Sequence, residues 1–400
     1  MLSRRRLLQS TLATCAIGPG LSLANAATDR RFLMLILRGA ADGLALLPPY
    51  AEPGYAKLRG ELAIAAPGRS DGAHKIDGTF GLHPAFDWLA QRFADGQALG
   101  VHAVASPYRE RSHFDGQDAL ENGTATALGR RDGWLNRAIA PLGGKLGDEV
   151  AIALGTSTPL ILRGDQSVAN WAPSRLPGAD DDTLARLARL YEKDEFLHMR
   201  LAQAMQSQAI ADDAGTMSTR RRGNAQAQFR QTMIQAGNFL ATEDGPRIAV
   251  VDSGGWDTHA NQGGANGGLA NRFRGLDQGL AAFQSTLGDA WQSALILVVT
   301  EFGRTVRVNG TRGTDHGTAG AALLVGGNVD GGRVIADWPG LNESALYQGR
   351  DLYPTTDLRA LCKGVVTEHL GLDPAFVDRS VFPDSGNVKP LTGLMRRRYS

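Results

Sequence analysis

Ala294-Leu295-Ile296-Leu297-Val298-Val299-Thr300 runs without a break into Glu301-Phe302-Gly303-Arg304-Thr305. An apolar, β-branched run bounded by a charged, glycine-containing turn reads as a strand buried on both faces. Strands of that kind belong to a parallel sheet covered by helices. Phe32 to Leu37, Ala98 to Val104, Glu149 to Leu154, Pro159 to Leu162, Arg247 to Val251 and Ala321 to Val325 read the same way. Helical patterns lie between them: Pro84 to Phe93, Leu135 to Ile139, Asp182 to Asp212, Asn224 to Thr242, Leu269 to Trp291 and Thr356 to Leu370. The alternation predicts an α/β fold with a mostly parallel central sheet sandwiched by helices. The stretch 173–242 is helical, charged and free of strand signals, so it is expected to be a helical insertion within a single domain, 27–400.

The N-terminus reads as an export signal, to be set aside before the fold is considered. Ser3-Arg4-Arg5-Arg6-Leu7-Leu8-Gln9 is close to the twin-arginine pattern, and a weakly apolar stretch from Ser10 to Leu23 follows. Ala24-Asn25-Ala26 offers small residues for cleavage, so 1–26 is taken as the signal and Ala27 as the mature start. The alternative is a Sec signal with an arginine-rich front. The expectation is a periplasmic protein handed folded to the twin-arginine translocase.

The 374 residues after that cleavage carry 39 basic and 41 acidic side chains. So neutral a chain gives no electrostatic case for nucleic-acid binding. No later run is long and apolar enough for a stable membrane span. Cys362 is the one cysteine left, which excludes an internal disulfide and a thiolate zinc site. Any metal must then be held by His, Asp, Glu and oxygen ligands.

In open parallel sheets ligands collect at the carboxyl ends of the strands. Asp42 follows the first strand among small residues, and Ser112-His113 follow the second. Gly255-Trp256-Asp257-Thr258-His259 follow the Arg247 strand. Glu301 and Arg304 follow the Ala294 strand, with Gly313-Thr314-Asp315-His316-Gly317 further on. Asp257 and His259, two apart in an extended loop, can aim at one point. Glycines around Asp315-His316 let the backbone approach an ion closely. Each of these residues also has a plain reading: a turn cap for Asp257 and Asp42, an Asx turn at Asp315, an ion pair between Glu301 and Arg304. For Ser112 the plain reading is an N-cap; the functional one is a nucleophile at a helix N-terminus, where an alkoxide is stabilised. His113 is either its partner or a core residue. Arg304 and Arg38 are candidates to hold a tetrahedral anion, with Arg111 a weaker third.

Taken together, Leu37-Arg38-Gly39-Ala40-Ala41-Asp42-Gly43-Leu44, Arg111-Ser112-His113-Phe114, Gly255-Trp256-Asp257-Thr258-His259 with Asn261-Gln262, and Glu301-Phe302-Gly303-Arg304-Thr305 through Asn309-Gly310 to Gly313-Thr314-Asp315-His316-Gly317 resemble the domain of unknown function 1501 family. That family in turn resembles the alkaline phosphatase and sulfatase superfamily. The resemblance implies an alkaline phosphatase-like sheet with one or two divalent ions. By the same resemblance Asp42, Asp257, His259, Glu301 and His316, with Asp315, are the metal ligands and Ser112 is the nucleophile, helped by His113 and Arg304. The sequence departs from the superfamily where Glu301-Phe302 stands in place of an Asp-His pair, which also admits a mononuclear site.

The expectation is a metal-dependent hydrolase or transferase acting on phosphate, phosphonate or sulfate esters through a serine. Its ligand set favours zinc or manganese over calcium or magnesium. The substrate is a small anionic ester or an envelope polymer. The alternative is a non-catalytic metal- or anion-binding envelope protein of the same fold. No glycine fingerprint for a dinucleotide is present, so an oxidoreductase has little support.

Overall fold

A computed structural model describes residues 29–142, 149–172, 181–191, 194, 196–202, 204–205 and 225–396. The segment 1–26 read as a signal lies outside the described residues, as does much of 173–242. No helix among the described residues is long and apolar enough to cross a membrane.

Among the described residues nine strands form one mixed, mostly parallel sheet. They are β1 (Arg31–Arg38), β2 (Ala98–Ala105), β3 (Ala151–Leu154), β4 (Ala169–Trp171), β5 (Ile248–Gly254), β6 (Ala294–Val299), β7 (Gly320–Val325), β8 (Arg333–Ile335) and β9 (Thr356–Asp357). The order runs β8-β2-β7-β6-β1-β5-β3-β4, with β9 also pairing β2. β1 lies between β5 and β6, parallel to both.

The unbroken apolar runs follow from burial on both faces. Along β1, Phe32, Met34 and Ile36 enter one core and Leu33, Leu35 and Leu37 enter the other. In β6, Leu295, Leu297 and Val299 take the first face and Ile296 and Val298 the second. Each such side chain contributes roughly 1.5–3 kcal/mol of transfer free energy. The helices α1 (Asp87–Ala94), α4 (Ala225–Ala241) and α5 (Gly268–Leu287) supply Leu89, Phe239 and Phe273 to the second core. The helices α2 (His113–Asn122), α3 (Trp134–Ile139) and α6 (Leu358–Glu368) supply Leu120, Trp134 and Leu361 to the first. Of the stretch 173–242, α4 packs along α5, where Gly275 and Gly279 make room for Gln226 and Phe229.

Pro159 to Leu162, read as a strand, is instead a short 3₁₀ turn over Leu160–Leu162. Proline gives up a ladder donor, and an apolar run of four residues has no period that separates strand from turn. Its apolar side chains are buried all the same: Ile161 and Leu162 are in the core. The strands β4, β8 and β9, two or three residues long, carry too little pattern to be legible.

One irregularity of topology matters most for the site. β7 runs antiparallel to both neighbours, β2 and β6. The chain therefore leaves β6 and re-enters β7 at the same edge of the sheet. That edge is also where β1, β2 and β5 end.

Candidate metal centre

Four chain segments meet at that edge. The turn after β1 presses directly on the loop after β5: a Cβ on Gly39 would lie 2.6 Å from the Asp257 amide nitrogen, and its φ is +118°. Only glycine satisfies both demands. Trp256, buried against Phe273 with ring centroids 5.7 Å apart, pins the same loop from beneath. The connection 300–319 folds back on itself, with Gly303 N–H donating to Thr318 O (2.9 Å), Gly317 N–H to Gly303 O (2.8 Å) and Thr305 N–H to Asp315 O (2.9 Å). It is zipped to the Asp257–His259 loop by Thr314 N–H to Thr258 O (3.2 Å) and by Asn309, whose Nδ2 donates to His259 O (2.9 Å). α2 delivers the fourth segment, with His113 as its first residue.

Three imidazoles converge on one carboxylate. Asp257 Oδ1 lies 2.9 Å from His259 Nε2 and 3.2 Å from His316 Nε2, and Asp257 Oδ2 lies 3.4 Å from His113 Nε2. The Nε2 atoms of His259 and His316 are 3.0 Å apart. Ligand atoms of His113, Asp257 and His316 all lie within 4.8 Å of one another, the spacing of a metal site.

The other ring nitrogens are all tied back. His113 Nδ1 meets Glu301 Oε1 at 2.8 Å, His259 Nδ1 meets Asp315 Oδ1 at 3.2 Å, and His316 Nδ1 meets the Arg111 carbonyl at 2.9 Å. A carbonyl can only accept, so His316 Nδ1 carries the proton and its Nε2 presents a lone pair. A carboxylate asks the same of His113 and His259. Such acceptor–histidine pairs fix the tautomer and turn the free nitrogen toward a cation. Two lone pairs 3.0 Å apart repel unless a cation or proton lies between them. Moreover, His113 Nε2 is buried with no hydrogen bond. These observations fit a bound metal ion.

The charges agree. Three carboxylates, Asp257, Asp315 and Glu301, border the cluster against one guanidinium paired into it, Arg304, an excess of negative charge that a cation would offset. Burial opposes ionisation of Asp257, but the hydrogen bond and charge of Arg304, with its Nη1 at 2.5 Å, outweigh it and hold the carboxyl below its ordinary value. Glu301 is buried too, yet its bonds to His113 and to the Gly39 amide keep it below the usual range. The Glu301 hydrogen bond raises His113, against burial. Burial lowers His316.

The structure gathers Asp257, His316 and His113 around one point, sets His259 against Asp257 and His316, and stations Asp315 and Glu301 behind. Two residues expected among the ligands are turned away. Asp42 is buried, its Oδ1 accepting from the Leu44 and Ala45 amides and its Oδ2 from Arg59 and from Gln262 Nε2 (2.7 Å). It caps a short helix and pairs with Arg59, with no lone pair directed at the cluster. Glu301 spends one oxygen on Gly39, His113 and Gln117 and the other on Thr300.

Arg304, expected to hold an anion, is fully buried: its Nε bonds Thr314 Oγ1 (3.1 Å), its Nη2 the Thr314 carbonyl and its Nη1 Asp257. It supports Asp257 and cannot reach a substrate. Arg38 is likewise occupied by Glu121 (2.8 Å), Asp252 (3.0 Å) and Gln117 (2.9 Å). Ser112 takes the N-cap place of α2, but its hydroxyl caps no amide. Cys362 is buried in α6.

Several residues were missed. Gln262 joins Asp42 to Thr258 (2.7 Å) and Thr314 (2.8 Å), so one buried polar chain runs from Arg59 to Arg304. Phe302 stacks on His113 with centroids 5.0 Å apart. Gln262 and Phe302 stand inside the quoted motifs; Arg59 has no motif around it. Glu301→Gln would replace the acceptor at His113 Nδ1 with an amide free to donate to it. It is expected to lower metal affinity about 10–100-fold with the fold intact, read by competition with a coloured chelator.

A family model described as "Protein of unknown function (DUF1501)" matches residues 96–379. No curated protein matches. A solved structure of BT1596, a 2-O GAG sulfatase, is similar at a TM-score of 0.30 and 9% identity, over 76% of this chain and 66% of that one. The match thus spans just under two thirds of that sulfatase's length.

Proposed function

We propose, from the premise that this chain belongs to the DUF1501 family, that it is a metal-dependent hydrolase or transferase of phosphate, phosphonate or sulfate esters. The observation that carries the reading is the convergence of three tied-back imidazoles on Asp257. His113, His259, His316 and Asp257 would hold one divalent ion, zinc or manganese by ligand type. With Asp42 committed to Arg59, Gln262 and two amides, the site favours one ion over two. Such an ion supplies Lewis acidity, lowering the pKa of a nearby hydroxyl and neutralising ester oxygens.

The protein's own groups do the rest. Ser112 stands between Arg111, whose carbonyl orients His316, and His113. Its hydroxyl makes no capping bond among the described residues, and the amides of the first turn of α2 favour negative charge on it. Its oxygen attacks phosphorus or sulfur and gives up its proton to solvent; the bond to the ester oxygen breaks, that oxygen leaves as the alcohol after taking a proton from solvent, and water later hydrolyses the serine ester. Glu301 and Asp315 keep the imidazoles in register throughout. The signal-like segment 1–26 makes periplasmic action after export by the twin-arginine translocase part of the same reading.

The test is elemental analysis of purified protein beside assays with an aryl phosphate, a phosphodiester and an aryl sulfate. Ser112→Ala is expected to cut turnover by at least about 1,000-fold while metal content stays at the wild-type level. Unchanged turnover removes the serine from the mechanism. Stoichiometric metal with no turnover of any ester favours the non-catalytic envelope protein.

A further inference from the structure

With Arg304 and Arg38 both engaged by other groups, the anion of an ester needs a different holder. The buried carboxylate of Asp351 organises one. Its Oδ2 accepts from Arg111 Nε (2.9 Å) and from Thr318 Oγ1 (2.9 Å) and lies 2.8 Å from Arg111 Nη2, which donates to Gln348 Oε1 (2.6 Å). Its Oδ1 lies 3.1 Å from Arg350 Nε, an ion-pair distance without hydrogen-bond alignment, and is buried with no hydrogen bond of its own. Two guanidinium groups thus share one carboxylate and leave a net positive charge.

Both arginines straddle His316. The Arg111 carbonyl receives His316 Nδ1–H, and Arg350 Nη2 donates to the His316 carbonyl. Arg111 adopts φ +60°, a left-handed conformation uncommon for a side chain of this size, and Tyr347 lies against its guanidinium at 5.9 Å. Both side chains reach solvent, at 19% exposure for Arg111 and 44% for Arg350. Among the described residues neither Nη1 has a partner. The next residue after Arg111 is Ser112.

We propose that Arg111 and Arg350, hung on Asp351, form an oxyanion clamp that holds the terminal oxygens of a monoester beside His316. This rests on the reading of the site as an ester-processing metal centre. Guanidinium donors suit phosphate and sulfate oxygens alike, and two donors placed together suit a group with three terminal oxygens better than a diester with two. Arg111 and Arg350 are the binding residues, and Asp351 positions them.

The test titrates inorganic phosphate and, separately, sulfate into zinc-reconstituted protein by calorimetry, with zinc content measured on the same samples. Arg350→Ala is expected to weaken anion binding about 10–100-fold at unchanged zinc content, and Arg350→Lys to recover part of it. Asp351→Asn, which keeps both arginines but loosens their anchor, is expected to fall between wild type and Arg350→Ala. The stronger of the two anions identifies the ester class. Anion affinity within twofold of wild type in Arg350→Ala overturns the clamp, as does wild-type protein that binds neither anion. Protein that takes up no zinc, yet still loses phosphate affinity on Arg350→Ala, overturns the metal reading and keeps the clamp.

Discussion

Asp257→Asn is expected to empty the metal centre while leaving the chain folded. Asp257 is the one carboxylate that all three Nε2 atoms address. Neutralising it removes the sole anionic ligand and leaves Arg304 as an uncompensated cation beside the site. The loss of affinity should exceed the roughly 100-fold upper end found for outer-shell partners, with turnover falling alongside. The stability cost should stay well under the roughly 3–5 kcal/mol of a fully buried broken pair, because the Asp257 side chain is 39% exposed. An amide oxygen can moreover still accept from Arg304. Elemental analysis after dialysis, with thermal melting as the control for folding, decides it. Full metal occupancy and full turnover in this variant would mean that the ion sits elsewhere.

Asp42→Asn should do the reverse. Asp42 is 1% exposed and Arg59 0%, so the substitution strands a buried guanidinium. Breaking such a pair costs about 3–5 kcal/mol, about 4–6 °C in Tm for a chain of this size, while metal content stays at the wild-type level. The pH dependence follows from the direction of the shift. Burial alone would raise the Asp42 carboxyl, but the charge of Arg59 and the Gln262 hydrogen bond bring it below its ordinary value. A carboxyl depressed in the folded state contributes stability that is fully present above its unfolded pKa, near 3.9. That contribution disappears as pH falls through the lower folded value. The Tm gap between wild type and variant should therefore be wide at pH 7, begin to narrow at about pH 4 and close only as pH falls through the lower folded value. A variant as stable as wild type but lacking metal would restore Asp42 to the ligand set.

These two acids show what the sequence makes legible and what it hides. Runs such as Phe32 to Leu37 and Ala294 to Thr300 announce strands buried on both faces, because only a covered sheet tolerates them. Polar residues clustered after those runs announce which edge carries the chemistry. Asp257, His259 and His316 could thus be found from position alone. Position does not tell which way a carboxylate turns. Asp42 and Glu301 both follow strands, and both face buried partners instead of the cluster's centre. The partner of Asp42 is Arg59, at the end of the short helix Tyr55–Arg59, where nothing in the local pattern marks it. Nor does position show that Arg304 is enclosed while Arg350 is open. That depends on packing between segments distant in the chain.

The reversed strand β7 carries a consequence for how the molecule matures. Because the chain turns back at one edge, His316 reaches its place only when β6 and β7 have zipped together, late in the sequence. His113 waits on α2, and Asp257 comes from a loop more than a hundred residues further on. No N-terminal fragment brings these donors together, so an ion held by them would be coupled to closure of the whole sheet. An ion held there would act as a clasp. At a thousandfold excess over its dissociation constant it adds about 4 kcal/mol against unfolding, and a chelator would loosen strands far from the site as readily as the loops beside it.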